Sequence, residues 1–409
     1  MTSRDRVRAT FRFLPVDRPA LDLGSTRVTG MNAWRYQELR QALGLHGGHT
    51  RVYDVSGFLA ELEEPVLDAL GCDFIMLPLQ RLSMGLSPKS WCEHRFWDGN
   101  TYLVPADFHP VRLDDATLMH GGGTAGDDVL RSMPVGGRHF ERASHPDVHD
   151  ADTEFPHIDP AQWRFPPEFT EEFLRQEERA ARTLFESTQK SIVATVLPES
   201  LGLPQGYGGT IGWAMKAHAD PQHATDYMHR EAEALSRRAV AYAQAVKGCV
   251  DVLVMSHLDL GTQSGEAFHP ELFRRLFLPA WQTVTNGVHA VDPNVKIFIH
   301  TCGCVRGYLP LFIQAGVDIY NPVQWTARGM DRATLGQEFG GRIVFWGGGV
   351  NTQSTFPRGT PSEVRAEVAE SIQTLGARGG LVLNPGHNIQ ADVPVENIVA
   401  FYQAARERP

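Results

Sequence analysis

The stretch "VKIFIHTCGCVRGYLPLF", Val295 to Phe312, puts a histidine and two of the chain's five cysteines where an apolar run breaks open. If the run is a strand, His300 and Cys302, two residues apart on extended backbone, project to the same side. A thiolate and an imidazole held together suit Zn²⁺, and a catalytic zinc takes about three protein ligands with one position left open. The third ligand must come from elsewhere in the fold. His387 in "LVLNPGHNI" is the first candidate, because Pro385 and Gly386 turn the backbone tightly at the end of another apolar run. Cys304 is the second, although Gly303 is expected to end the extended geometry and aim that thiol elsewhere. The alternative to a metal site is a buried cysteine beside a hydrogen-bonded histidine.

Other polar residues also stand at the ends of apolar runs. Asp259 and Gln263 in "SHLDLGTQSG" follow the run "VDVLVMS". Asp259 is placed to orient a ligand histidine or to hydrogen-bond a substrate, or else simply to form a loop turn. Asn321 and Gln324 in "NPVQ" can meet a polar substrate group, and Arg27 in "LGSTR" and Tyr207 in "PQGYGG" are candidate substrate contacts. His257 is expected to point into the packing, and Glu199 in "LPES" is either a base or an exposed loop glutamate.

Bringing these groups to one place takes a repeated alternation of strand and helix. From Asp73 onward the continuous apolar runs "DFIMLPL", "SIVATVL", "VDVLVMS", "VKIFIHT", "VDIYNPV", "RIVFWGG" and "GGLVLNPG" read as parallel strands covered on both faces. Between them, segments such as "DYMHREAEALSRRAVAYAQAVKG" and "PSEVRAEVAESIQTLGARGG" carry apolar residues at helical spacing and end in glycine. With "RPALDLGS" as a first strand the count reaches about eight, the number that closes a (β/α)₈ TIM barrel. None of these runs is followed by a G-x-G-x-x-G, which argues against an open doubly wound sheet. The α/β barrel is read as one domain over residues 1–409. Residues 91–160, rich in Gly, Asp, His and aromatics, read as an inserted β and loop excursion over the barrel mouth, between the second and third strands. Within it "GGGTAGDD" is a turn cluster, since no Gly-Lys-Ser/Thr follows. In such a barrel the C-terminal strand ends carry the active site, which is where His300, Cys302 and His387 all fall.

The composition, 42% hydrophobic and 21% charged, supports a large core, and the formal net charge of −10 lacks the basic excess that nucleic acid requires. No stretch approaches the roughly 20 apolar residues of a membrane span, and "MTSRDRVRATFRFLP" has no continuous apolar signal core. A cytoplasmic protein is expected, without nucleic-acid or membrane partners. The odd number of cysteines argues against a disulfide framework, and Cys72 and Cys249 precede apolar runs as small buried hydrophobes.

The stretches "IHTCGCVRGYLPLFIQAGVDIYNPVQ", "RIVFWGGGVNTQ" and "LNPGHNIQADVPVENIVAFYQAA" resemble the C-terminal half of the uroporphyrinogen decarboxylase superfamily, and within it the corrinoid-linked methyltransferase branch. "RVTGMNAWRYQELRQALGL" and "VYDVSGFLAELEEPVLDALGCDFIML" resemble its N-terminal region. The resemblance implies a (β/α)₈ barrel, a homodimer and, in the methyltransferase branch, a zinc ion bound by His-x-Cys and a distant cysteine. His300 and Cys302 match the first two ligands. His387 stands where that distant cysteine follows "NPG", a place that carries "GHG" in the decarboxylases. Gln324 falls near where the similar site of cobalamin-independent methionine synthase supplies a glutamate. The residues around Asp259 and Gln263 are similar to the family's "DDLGTQ", with Leu258 in place of the first acid. The decarboxylase "RQAGR" motif is absent, leaving Arg27 as the cation after the first strand. Nothing resembles the Asp-x-His-x-x-Gly signature of a cobalamin module, so a separate corrinoid protein is the implied partner, with the aromatic-rich excursion as its docking surface.

The function expected is that of a zinc-dependent methyltransferase moving a methyl group between a small-molecule donor or acceptor and a corrinoid (cobalamin) carrier. One thiolate among three ligands leaves zinc a stronger Lewis acid than two would, which favours activating a leaving group over delivering a thiolate. The alternatives are a decarboxylase or lyase acting on a smaller carboxylic acid without zinc, and a non-catalytic corrinoid-binding or metal-binding accessory protein.

Overall fold

The computed structural model describes residues 1–122, 128–142, 158–196 and 209–407. Eight short strands build one parallel sheet: β1 (Ala20–Leu21), β2 (Phe74–Met76), β3 (Ser191–Thr195), β4 (Val252–His257), β5 (Lys296–His300), β6 (Ile319–Asn321), β7 (Val344–Trp346) and β8 (Leu381–Leu383). Each lies within an apolar run read from the sequence, except that β4 extends one residue beyond its run to His257. Their order around the sheet is β2-β3-β4-β5-β6-β7-β8-β1, so every sequence neighbour pairs except β1 and β2. Across that seam the Asp73 amide donates to the Leu21 carbonyl at 2.7 Å, and the sheet is a nearly closed barrel of the TIM type.

The runs are continuous because both faces of each strand are covered. Phe74, Val193, Val252, Phe298, Val344 and Trp346 fill the barrel interior, each with at most 1% of its surface exposed. Burying an aliphatic or aromatic side chain of this size contributes about 1.5–3 kcal/mol. Val7 and Phe11 of the helix Ser3–Phe11 join the same cluster. Arg6 and Arg8 of that helix pair at 2.7 and 2.9 Å with Asp73 and Asp251, which precede β2 and β4. The opening segment, which the sequence marked only by what it lacks, is therefore a plug in the N-terminal end of the barrel.

On the outside, the helix Pro221–Val246 packs against the helix Leu278–Val291, and Pro361–Thr374 opens with a reciprocal capping box between Thr360 and Glu363. Such a cap holds the first turn by about 0.5–2 kcal/mol.

The excursion leaves the barrel between β2 and β3. Strands Trp91–Arg95 and Thr101–Pro105 form an antiparallel pair, and Val111–Arg112, Ala116–Gly122, Asp128–Pro134 and Glu141–Arg142 form a four-stranded sheet. The aromatics in the pair and in the turn that joins it face inward. Phe96 and Tyr102 are 4% and 0% exposed and meet Phe58 and Trp34, whose own rings stack at 3.8 Å. This corrects the expectation of an aromatic docking surface at those rings, because they bind the excursion to the barrel instead. Residues 143–157, the rest of the expected loop over the mouth, lie outside the described residues. Among the described residues no helix is long and apolar enough to cross a membrane.

Candidate metal centre

β5 ends on His300, and Cys302 follows two residues later. The two side chains project together, with Cys302 Sγ 3.4 Å from His300 Nε2. His387, beyond the end of β8, completes a group whose ligand atoms all lie within 4.8 Å of one another. Zinc to sulfur and nitrogen distances of about 2.3 and 2.0 Å at a tetrahedral angle require the donors to sit about 3.5 Å apart. The His300 and Cys302 pair already meets that spacing. His387 need approach by about 1.3 Å at most to meet the same spacing.

The turn after Cys302 has a backbone cause. Gly303 takes φ +83°, and a Cβ there would lie 2.5 Å from the Gly261 carbonyl carbon. A Cβ on Gly261 would lie 2.6 Å from the carbonyl oxygens of both Cys302 and Cys304. The loops after β4 and β5 thus touch backbone to backbone, and the Cys304 amide donates to Thr262 O at 2.7 Å. Cys304 leaves in another direction, into a separate cavity that Glu266 and Arg306 also line. Upstream, a register shift between Val254 and Ser256 in β4 sets His257 beside His300, their rings 6.0 Å apart. Bulges of this kind commonly re-aim side chains next to active sites.

His300 is oriented from behind. Its Nδ1 lies 2.6 Å from Asn321 Oδ1, and Asn321 Nδ2 donates to Trp346 O at 3.0 Å. Because that amide oxygen can only accept, Nδ1 carries the proton and Nε2 presents its lone pair toward Cys302. Asn321 is fully buried, so its place is behind the histidine, not against a substrate. Asn321→Leu is expected to weaken zinc binding about 10-fold to 100-fold with the fold retained. Competition with a chromogenic chelator, alongside a circular dichroism melt, measures both.

Asp259 takes a different part from the orientation of a histidine. Its Oδ1 accepts the Cys302 amide at 3.0 Å, fixing the loop that carries the thiol. Gln324 Oε1 accepts the Gly303 amide at 2.8 Å from the other side. Gln263 and Gln324 line a cavity of about 300 Å³ together with Cys302, Trp325, Asn351 and His387. Arg27, expected to face a substrate, is ion-paired with Asp54, its Nε 3.0 Å from Oδ2. Tyr207 and Glu199 lie outside the described residues.

Two acids escaped the sequence reading. Asp54 in "VYDVSG" precedes the barrel alternation and carried no motif. Asp22 directly follows β1, a strand-end position that the barrel reading itself marks. It is fully buried and accepts Trp346 Nε1 at 2.9 Å and the Ser25 amide at 3.1 Å. Burial pushes its carboxyl up, against the pull of these hydrogen bonds.

Burial also sets the charge state of the metal-binding group. It drives His300 down to about 4, helped by the neighbouring His387 and opposed by Asn321 and Asp259. His387 is lowered by burial against the pull of Asp259. Burial and the adjacent Asp259 lift the Cys302 thiol to about 12. At neutral pH the set is two neutral imidazoles and a protonated thiol, which a dication converts to a thiolate. Zinc uptake at pH 7 is expected to release about one proton per chain. Calorimetry in two buffers of different ionisation enthalpy counts it, and a count of zero would remove Cys302 from the ligand set.

His387 fits less completely. The Asn388 amide donates to His387 Nδ1 at 2.8 Å, which assigns the proton of the neutral ring to Nε2. To bind a metal through either nitrogen, the ring must release that amide or shift its proton.

An α/β barrel with a histidine and thiol group at its C-terminal strand ends is the class that fold and site define. Residues 206–408, which hold every barrel-rim residue discussed from Asp259 to His387, match the uroporphyrinogen decarboxylase (URO-D) family. It is 25% identical over 211 residues to the uroporphyrinogen decarboxylase of Crocosphaera subtropica, covering 49% of this chain and 57% of that one. It is 24% identical over 230 residues to that of Synechocystis sp., covering 53% and 63%. The chain thus spans about three-fifths of the length of these two curated relatives. A methyltransferase from Methanosarcina mazei has the same fold, with a TM-score of 0.56 and 18% identity over 99% of this chain and 98% of that one.

Proposed function

We propose that this protein is a zinc-dependent methyltransferase that moves a methyl group between a small molecule and a corrinoid carrier held by a separate protein. The observation that carries the reading is the convergence of His300, Cys302 and His387 within 4.8 Å at the C-terminal end of the barrel, beside a cavity of about 300 Å³. The neighbour of like fold from M. mazei is a methyltransferase, which agrees with it.

Zinc bound there would act as a Lewis acid on the methylated oxygen, nitrogen or sulfur of the donor. The chain's own residues hold the geometry. Asn321 fixes the tautomer of His300, Asp259 and Gln324 pin the loop of Cys302 and Gly303, and the cavity amides bind the body of the substrate. In transfer the carbon to heteroatom bond breaks and its electron pair stays on the heteroatom, which takes up a proton, while the corrinoid supplies the pair for the new bond to carbon. The test uses zinc-loaded protein, free cob(I)alamin and a panel of methoxy and methylamine donors, followed by the absorbance of methylcobalamin. Zinc-dependent formation supports the reading. Zinc bound without transfer from any donor, or back to a thiol, would leave an accessory binding protein.

The tautomer of His387 favours a second reading, a lyase acting on a small carboxylic acid. With Nδ1 engaged by the Asn388 amide, Nε2–H can donate a proton to a carbanion as CO₂ leaves. Such an activity would need no zinc, would survive Cys302→Ala and would be lost in His387→Ala.

A further inference from the structure

We infer that the metal-site cavity selects a substrate whose body is uncharged, and rejects carboxylated, sulfonated or phosphorylated ones; this rests on the methyltransferase reading. The charge around the cavity carries the inference. Among the described residues, none that lines it is Lys, Arg, Asp or Glu. The histidine among the lining residues, His387, accepts the Asn388 amide at Nδ1, so that nitrogen carries no proton. The nearest cation expected from the sequence, Arg27, is already paired with Asp54. Asp259 stands beside Cys302, so zinc bound here would have its charge offset by the Cys302 thiolate and the Asp259 carboxylate, and an anionic substrate body would find no side-chain cation in the lining to pair with.

Of the four segments outside the described residues, only 408–409, with Arg408, holds a lysine or arginine. Residues 123–127, 143–157 and 197–208 contain no Lys or Arg, whereas they include Asp127, Asp147, Asp150, Asp152, Glu154 and Glu199. Wherever these three segments lie, they bring no lysine or arginine to an anion.

A cationic substrate is disfavoured by a different feature. The aromatic ring of the cavity, Trp325, would be the natural seat for an ammonium group. Arg332 already sits over that ring, 4.0 Å from its centre, and is held there by Glu370 and Ser371. What the lining does offer is the amides of Gln263 and Gln353, able to donate and accept, and those of Gln324 and Asn351, whose oxygens already accept backbone amides and whose NH₂ groups are left to donate. Such groups suit hydroxyl, ether or amide functions on a neutral molecule carrying a methylated heteroatom.

Three probes with one shared body test this: 4-methoxybenzyl alcohol, 4-methoxybenzoate and 4-methoxybenzylamine, titrated by calorimetry into the protein with and without zinc. The alcohol is expected to bind at least tenfold more tightly than the benzoate and more tightly than the amine. Gln353→Lys, an exposed lining position that holds no part of the metal group, is expected to bring the benzoate level with the alcohol or above it. Equal or tighter benzoate binding by the unaltered protein, a preference for the amine, or binding of none of the three would overturn the inference. Zinc content is measured on the same samples. A protein that takes up no zinc defeats the methyltransferase reading, while the charge preference is still read from the zinc-free titration.

Discussion

Cys302→Ala is expected to purify without zinc and to lose methyl transfer at least about a hundredfold, since Lewis-acid stabilisation of several kcal/mol disappears with the ion. The thiol has no substitute within reach. Cys304 is the next sulfur along the chain, but Gly303, at φ +83°, sends it into another cavity. Removing the sulfur also leaves two neutral imidazoles, which hold Zn²⁺ far less firmly than a set containing a thiolate. His387→Ala is expected to lose zinc as well, because it leaves two ligands. Metal analysis of the three proteins purified side by side, without added zinc, measures this. About one zinc per chain in the unaltered protein and in Cys302→Ala alike would show that the thiol is not a ligand.

Gly261→Ala is expected to do comparable damage from a position that carries no functional group. Its Cβ would lie 2.6 Å from two carbonyl oxygens and 2.8 Å from the Cys304 amide nitrogen. All three obstacles are backbone, so no side chain can rotate aside, and the loop bearing Cys302 must move. The cost is expected to exceed about 2 kcal/mol of stability. Displacing the sulfur by even about 1 Å would also lower zinc affinity more than tenfold. Chemical denaturation and chelator competition read the two effects. A variant with unchanged midpoint and affinity would mean that the loops do not hold each other as described.

Much of this site could be read from spacing alone. An H-x-C pair at the end of an apolar run, and a histidine after a Pro-Gly turn at the end of another, meet because eight such runs must close on themselves. The roles of the supporting groups were not legible in the same way. Asn321 and Asp259 both stood at strand ends, but which one would face His300 depended on pairings. The β5 and β6 register brings Asn321 opposite His300, while the glycine contact at Gly261 and Gly303 brings Asp259 to the Cys302 amide. Arg27 looked like a substrate contact because its partner, Asp54, lies in a two-stranded ribbon that no periodic signal announced. The plug helix Ser3–Phe11 was missed for a related reason. It has only a short apolar face, Val7 and Phe11, and it is otherwise held by polar contacts that include ion pairs with acids far along the chain.

The most direct measurement is zinc K-edge X-ray absorption on the unaltered protein, purified without added metal. The account expects one zinc per chain with a single sulfur near 2.3 Å and two imidazole nitrogens near 2.0 Å, the remaining position held by a light atom. A zinc shell without sulfur, or a correctly folded protein that holds no zinc, would contradict it and leave His387 as the proton donor of a lyase.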